Sequence, residues 1–137
     1  MSNNNKAVGT YYEQLFIAEA LGRGLDVCRT VGDSLPFDVM VVKGKRQFRV
    51  QVKGTAGCGK ERNGLAKYQW VSAIGPSKVL NKSYDIFAGY VQHGNNESWY
   101  IIPVRYVKFK TMKVFPHVLN SKGKYEKFKE AWGNFLK

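Results

Sequence analysis

The sequence predicts an α/β fold: a central mixed β-sheet, one helix ahead of its core hairpin and a second at the end of the chain. Three observations carry that reading. In residues 48–53 apolar and polar side chains alternate, and residues 37–42 read as the strand that pairs with them. Phe37, Val39 and Val41, like Phe48, Val50 and Val52, take one face of a strand, and Asp38, Met40 and Val42, like Arg49, Gln51 and Lys53, take the other. Phe16, Ile17, Ala20 and Leu21 recur at helical spacing, as do Tyr125, Phe128, Trp132 and Phe135. Residues 86–91 form an apolar run of the kind that lies in the middle of a sheet.

In chain order, residues 2–5 read as a disordered start. A helix begins near Val8 or Thr10, ends at Leu21 and is stopped by Gly22-Arg23-Gly24. Thr10-Tyr11-Tyr12-Glu13 fits a capping box exposed at a helix start. Glu13 also stands three, four, seven and eight positions before the apolar residues, which puts it on the face that meets the sheet. Residues 25–31 read as the first strand. Residues 32–36 are a loop in which Asp33 reads as a solvated turn residue, with a second acid near the site as the alternative.

The core hairpin spans residues 36–55 and turns at Lys43-Gly44-Lys45. On its second strand Gln51 and Lys53 are neighbours on one face, close to the part of the chain that carries Asp38. A carboxylate set into an apolar strand is costly unless it is paired or metal-bound. Residues 54–64 form a Gly-rich basic loop without a Walker A ending. With Lys60 and Arg62 it reads either as a loop that follows a nucleic-acid backbone or as a hairpin tip.

Residues 65–73 read as a further strand, and residues 86–91 and 98–104 as a pair joined through His93-Gly94-Asn95-Asn96. Residues 105–113 alternate basic and apolar side chains. They fit a strand whose basic face carries Lys108, Lys110 and Lys113, and equally an edge strand guarded by lysines. Residues 124–136 read as the closing helix, its aromatic stripe being either core or a subunit contact.

A length of 137 residues with 44% hydrophobic content suits one domain, residues 1–137, around one core. No run is long enough to span a membrane and no signal-peptide pattern opens the chain. Cys28 and Cys58 have no partners at zinc spacing and read as reduced thiols of a cytoplasmic protein. The net charge of +12 is spread over several loops, which predicts a folded basic surface for a phosphate backbone.

Pro36-Phe37-Asp38 followed by Gln51-Val52-Lys53 resembles the core motif of the PD-(D/E)XK nuclease superfamily, in the variant with Gln in place of the second acid. The likeness extends to Gly9-Thr10-Tyr11-Tyr12-Glu13, to residues 84–91 and to residues 98–104. The chain is most similar to a small group that includes intron-encoded homing endonucleases.

The resemblance implies a restriction-endonuclease-like core and Mg²⁺-dependent hydrolysis of DNA phosphodiester bonds, with Mn²⁺ as a substitute. It implies Asp38 as the main metal ligand, the Gln51 amide and the Val52 backbone oxygen beside it, Glu13 adding negative charge, and Lys53 stabilising charge at phosphorus. Lys60, Arg62, Lys108, Lys110 and Lys113 are then expected on double-stranded DNA. A homing-type enzyme making double-strand breaks with one small domain implies a homodimer or homotetramer. A Holliday-junction resolvase and a nucleic-acid-binding protein without activity fit the same residues.

Overall fold

A computed structural model describes residues 2–32, 34–55, 58–60, 66–72, 83–93, 95–108 and 111–136; for residues 2–6, 58–60, 66–72, 93 and 111 only the backbone is described. The helix α1 runs Ser2–Gly22. It therefore begins well before the expected start, and residues 2–5 belong to it. No proline interrupts the segment, so a helix anchored by packing further along propagates backwards at little cost. The expected stop is observed. Gly24 takes φ +83, and the Leu25 N–H donates to the Ala20 carbonyl at 3.0 Å, the bond that closes a helix through a left-handed glycine.

The strands follow as β1 (Asp26–Arg29), β2 (Val39–Lys43), β3 (Arg46–Thr55), β4 (Cys58–Lys60), β5 (Ala66–Ser72), β6 (Ile86–His93), β7 (Asn96–Pro103) and β8 (Thr111–Val114). Among the described residues they form a five-stranded sheet ordered β1-β2-β3-β6-β7 and a three-stranded sheet ordered β4-β5-β8. In the larger sheet β3 and β6 run parallel and the other neighbours antiparallel, so the sheet is mixed as expected. No helix among the described residues is long and apolar enough to cross a membrane.

Each face of the larger sheet buries its own apolar cluster. On the α1 side Phe16 and Ala20 meet Val39, Val41, Val50, Val52, Ile86 and Ala88. The Phe16 ring lies 5.5 Å from Trp99 and 5.6 Å from Trp132, an aromatic centre that dominates this side. On the other side Phe87, Val91, Tyr100 and Ile102 meet Met112 and Val114 of β8, and Phe37 packs there too, not with Val39 and Val41 as expected, because the strand and its alternation begin only at Val39.

The end of the chain departs from the expected helix. It forms 3₁₀ turns at Glu126–Phe128 and Trp132–Phe135. Between them Glu130 takes φ +53, and its N–H donates to the Trp99 carbonyl at 2.6 Å. The Glu130 carboxylate accepts from the Trp99 N–H at 2.8 Å. The free edge of β7 thus captures the segment. Tyr125 and Phe128 join one core while Trp132 and Phe135 join the other, so the aromatic stripe is core on both faces.

The region 105–113 is likewise not one strand. Val104–Tyr106 is a 3₁₀ turn and β8 begins only at Thr111. Within β8 the alternation holds: Met112 and Val114 are buried and Lys113 is exposed.

Candidate active site

Asp38 is the last residue before β2, and the hairpin register brings it to β3. Val39 faces Val50, and the Asp38 N–H donates to the Val50 carbonyl at 2.9 Å. The side chain then reaches one step further along β3, where Oδ2 accepts the Val52 N–H at 2.9 Å. In a strand the N–H and C=O of one residue point to the same edge, so the Val52 carbonyl also points towards Asp38. The Asp38 carbonyl accepts from the Thr30 hydroxyl at 3.2 Å, which ties the loop after β1 to the same corner.

Arg49, Gln51 and Lys53 share the face of β3 opposite to buried Val50 and Val52, and all three are half-buried. Gln51 pairs with Phe87 and Lys53 with Gly89, so this row looks towards the side covered by the smaller sheet. Burial pushes the Asp38 carboxyl up, against the Val52 N–H and the Lys53 charge, which both pull it down. Asp38 is thus a half-buried carboxylate with a cation close enough to be felt.

Glu13 approaches from α1. The capping-box reading fails, because Thr10 and Glu13 lie well inside the helix and not at its start. Glu13 is half-buried and follows Tyr12. A Cβ built on Gly54 would run into the Tyr12 ring, so α1 crosses β3 at the residue next to Lys53. This places Glu13 at the Lys53 end of the strand, but on the α1 side of the sheet and not on the side of the Gln51–Lys53 row. Among the described residues, no three His, Cys, Asp or Glu side chains gather into a metal-binding group. Gln51 stands between Val50 and Val52, the two residues of β3 whose backbones bond Asp38.

The contact at Gly54 has a measurable consequence. Gly54→Ala forces the Tyr12 ring and α1 away, an overpacking cost of about 1–3 kcal/mol. Urea unfolding should show that loss, and adding Tyr12→Ala should restore part of it. Unchanged stability would mean that the helix does not rest on Gly54.

A residue pair that pattern reasoning passed over braces the site. Asp85 stands just before β6 and accepts from the Arg49 backbone N–H at 2.8 Å, from Arg49 Nε at 3.2 Å and from the guanidinium terminus at 3.1 Å. Burial works to raise the Asp85 carboxyl, but the Arg49 bonds and charge outweigh it and hold it below its ordinary value. The two residues are 36 positions apart, and only the parallel register of β3 and β6 joins them. The sequence signal was limited to a carboxylate immediately ahead of an apolar strand.

Of the residues expected on DNA, two have described side chains. Lys113 is exposed on β8 and Lys108 is exposed just after the 3₁₀ turn. Lys60 ends β4 and is described by its backbone alone. Arg62, Lys110 and Asp33 lie outside the described residues. Cys28 is a free, exposed thiol.

A family model described as PD-(D/E)XK endonuclease matches residues 3–132. No curated protein matches the chain. Among solved structures, a bacterial homing endonuclease superposes with a TM-score of 0.73 over 93% of this chain and 88% of that one, at 21% identity. At that identity the likeness is one of fold.

Proposed function

The chain belongs to the PD-(D/E)XK endonuclease family, and from that premise we propose that it is a divalent-metal-dependent endonuclease of double-stranded DNA, cutting at the Asp38–Lys53 corner. The observation that supports this most is the convergence of the Asp38 carboxylate, the Val52 backbone and the Lys53 charge on one strand edge.

The donor set fits a hard cation. Asp38 Oδ1, the Val52 carbonyl and the Gln51 amide oxygen are the oxygen ligands that Mg²⁺ or Mn²⁺ prefers, and Glu13 stands at the same end of β3 to add charge through a water. When bound, the ion would polarise the phosphoryl oxygen and acidify a water. Val52 holds the Asp38 carboxylate in place through its N–H. Lys53 presents its ammonium to the charge that grows on the phosphoryl oxygens, and no reorganisation is needed at the moment of reaction. The Arg49–Asp85 bonds tie β3 to β6 two residues before Gln51, which keeps the row rigid.

The likeness to the bacterial homing endonuclease supports the finer reading, a homing-type enzyme whose homodimer or homotetramer makes a double-strand break. The Mg²⁺ dependence of cleavage by wild type, Gln51→Glu and Gln51→Ala tests the site. Gln51→Glu adds a charged ligand and should reach half-maximal activity at lower Mg²⁺. Gln51→Ala should require more metal and lose more activity. Identical half-saturation in all three would remove Gln51 from the metal's surroundings.

A further inference from the structure

Asp38 stands where the pleat of the sheet no longer sets direction. Val39 opens β2 and is buried in the core on the α1 side, whereas Phe37 packs on the other core. Regular alternation would put both on one face, so the chain leaves the pleat at Asp38, between them. Before Phe37 the chain is exposed at Ser34, Leu35 and Pro36. The direction of the Asp38 side chain is therefore set by the bonds that hold this residue.

Those bonds come from two sides. On one side β3 offers the Val50 carbonyl to the Asp38 N–H and the Val52 N–H to Asp38 Oδ2, each at 2.9 Å. On the other side Thr30 offers two donors to the Asp38 carbonyl, its hydroxyl at 3.2 Å and its N–H at 3.4 Å. Thr30 follows Arg29, the last residue of β1, which pairs with Val39. Thr30 is half-buried, and a β-branched side chain has little freedom about its first torsion. Its hydroxyl is the closer donor. Without it the carbonyl keeps one N–H at 3.4 Å, beyond the usual range of about 2.7–3.2 Å.

We propose that Thr30 is a positioning residue for the divalent metal: its hydroxyl fixes the Asp38 backbone from the β1 side, and through it Oδ1, the carboxylate oxygen that Val52 does not bond. The role rests on the endonuclease reading, in which Asp38 is the main ligand. A carboxylate held only from β3 moves whenever the backbone behind it shifts, and the Thr30 bond closes that freedom. A ligand already in place has less order to gain when the ion arrives, so the same oxygens bind it more tightly.

The test uses the full chain without DNA and Mn²⁺ alone as the probe, read from the electron paramagnetic resonance signal of the free ion. Thr30→Val keeps the shape and replaces the hydroxyl by a methyl group. It should weaken Mn²⁺ binding at least about tenfold, the lower end of what losing a residue behind a metal ligand costs. Thr30→Ser keeps the hydroxyl and should bind nearly as the wild type does. In cleavage, Thr30→Val should need correspondingly more Mg²⁺ for half-maximal rate, with the rate at saturating Mg²⁺ near wild type. Thr30→Ala, which also lacks the hydroxyl, takes its place if Thr30→Val does not fold.

Val27→Ala separates placement from stability. Val27 pairs with Val41 in the same two strands and packs on the α1-side core. Its substitution should lower the melting temperature at least as much as Thr30→Val and leave Mn²⁺ affinity unchanged.

Wild-type Mn²⁺ affinity in folded Thr30→Val overturns the proposal. So does a loss that Val27→Ala shares, because Thr30 would then only hold β1 to β2, and so does an equal loss in Thr30→Ser. Each of these leaves the site reading intact when Asp38→Asn abolishes Mn²⁺ binding. Mn²⁺ binding by Asp38→Asn as tight as that of the wild type shows that the ion does not sit at Asp38, and the site reading then falls together with the role of Thr30.

Discussion

Asp38→Asn should abolish cleavage and stabilise the folded chain at the same time. The loss of activity follows if Asp38 is the proposed charged anchor of the metal, and it should exceed the 10²–10³-fold (about 3–4 kcal/mol) typical of a single electrostatic group. The gain in stability follows from burial. The Asp38 carboxyl is pushed up mainly by desolvation, so the folded chain holds its proton more tightly than the unfolded chain does. Stability then falls as pH rises from the unfolded value, about 3.9, through the higher folded one, and stays reduced above it.

The Asn variant carries no such penalty, and its amide oxygen can still accept the Val52 N–H. In metal-free buffer its melting temperature should exceed that of the wild type at pH 7. The gap should close as pH drops below the unfolded value. Metal-dependent cutting by Asp38→Asn at near wild-type rate would remove Asp38 from the site. A lower melting temperature at pH 7 would show that the charge is fully compensated in the fold.

Lys53→Ala should cost at least about a hundredfold in rate at saturating DNA, the scale for one preorganised charge-stabilising group. Binding should weaken little, because one ammonium among many cations contributes modestly to affinity for a polyanion. Lys53 is half-buried on the same face as Gln51, and its charge reaches Asp38, as the proposed role at the reacting phosphate requires. Single-turnover kinetics at several DNA concentrations separates the two effects. A weaker affinity with the saturating rate unchanged would make Lys53 a phosphate contact only.

These two expectations rest on residues that local pattern alone singled out. The hairpin of β2 and β3 alternates with period two, and a polar row against an apolar one needs no knowledge of the rest of the chain. Gln51, Lys53 and the approximate place of Asp38 were therefore legible. Glu13 was legible as a residue facing the sheet, but its surroundings were not. Whether Thr10-Tyr11-Tyr12-Glu13 caps a helix depends on where that helix starts, and packing further along α1 carries the start back to Ser2.

The Arg49–Asp85 brace could not be read from spacing, since it exists only because β3 and β6 lie parallel.

The closing segment shows where local reasoning stops. Tyr125, Phe128, Trp132 and Phe135 carry helical spacing, and helical spacing is a weak prior when a sheet edge offers backbone partners. Trp99 and Glu130 exchange hydrogen bonds, Lys129 bridges to Tyr100, and the stripe divides between two cores.

By itself the sequence determined the helix stop at Gly24 and the shared face of Gln51 and Lys53 on β3, because each depends on bonds and side chains within a few residues. The tertiary structure alone decided the extent of α1, the Asp38 bond to Val52, the Arg49–Asp85 brace and the path of the C-terminus. Each of these is settled by which distant backbone groups and buried surfaces meet once the sheet has formed.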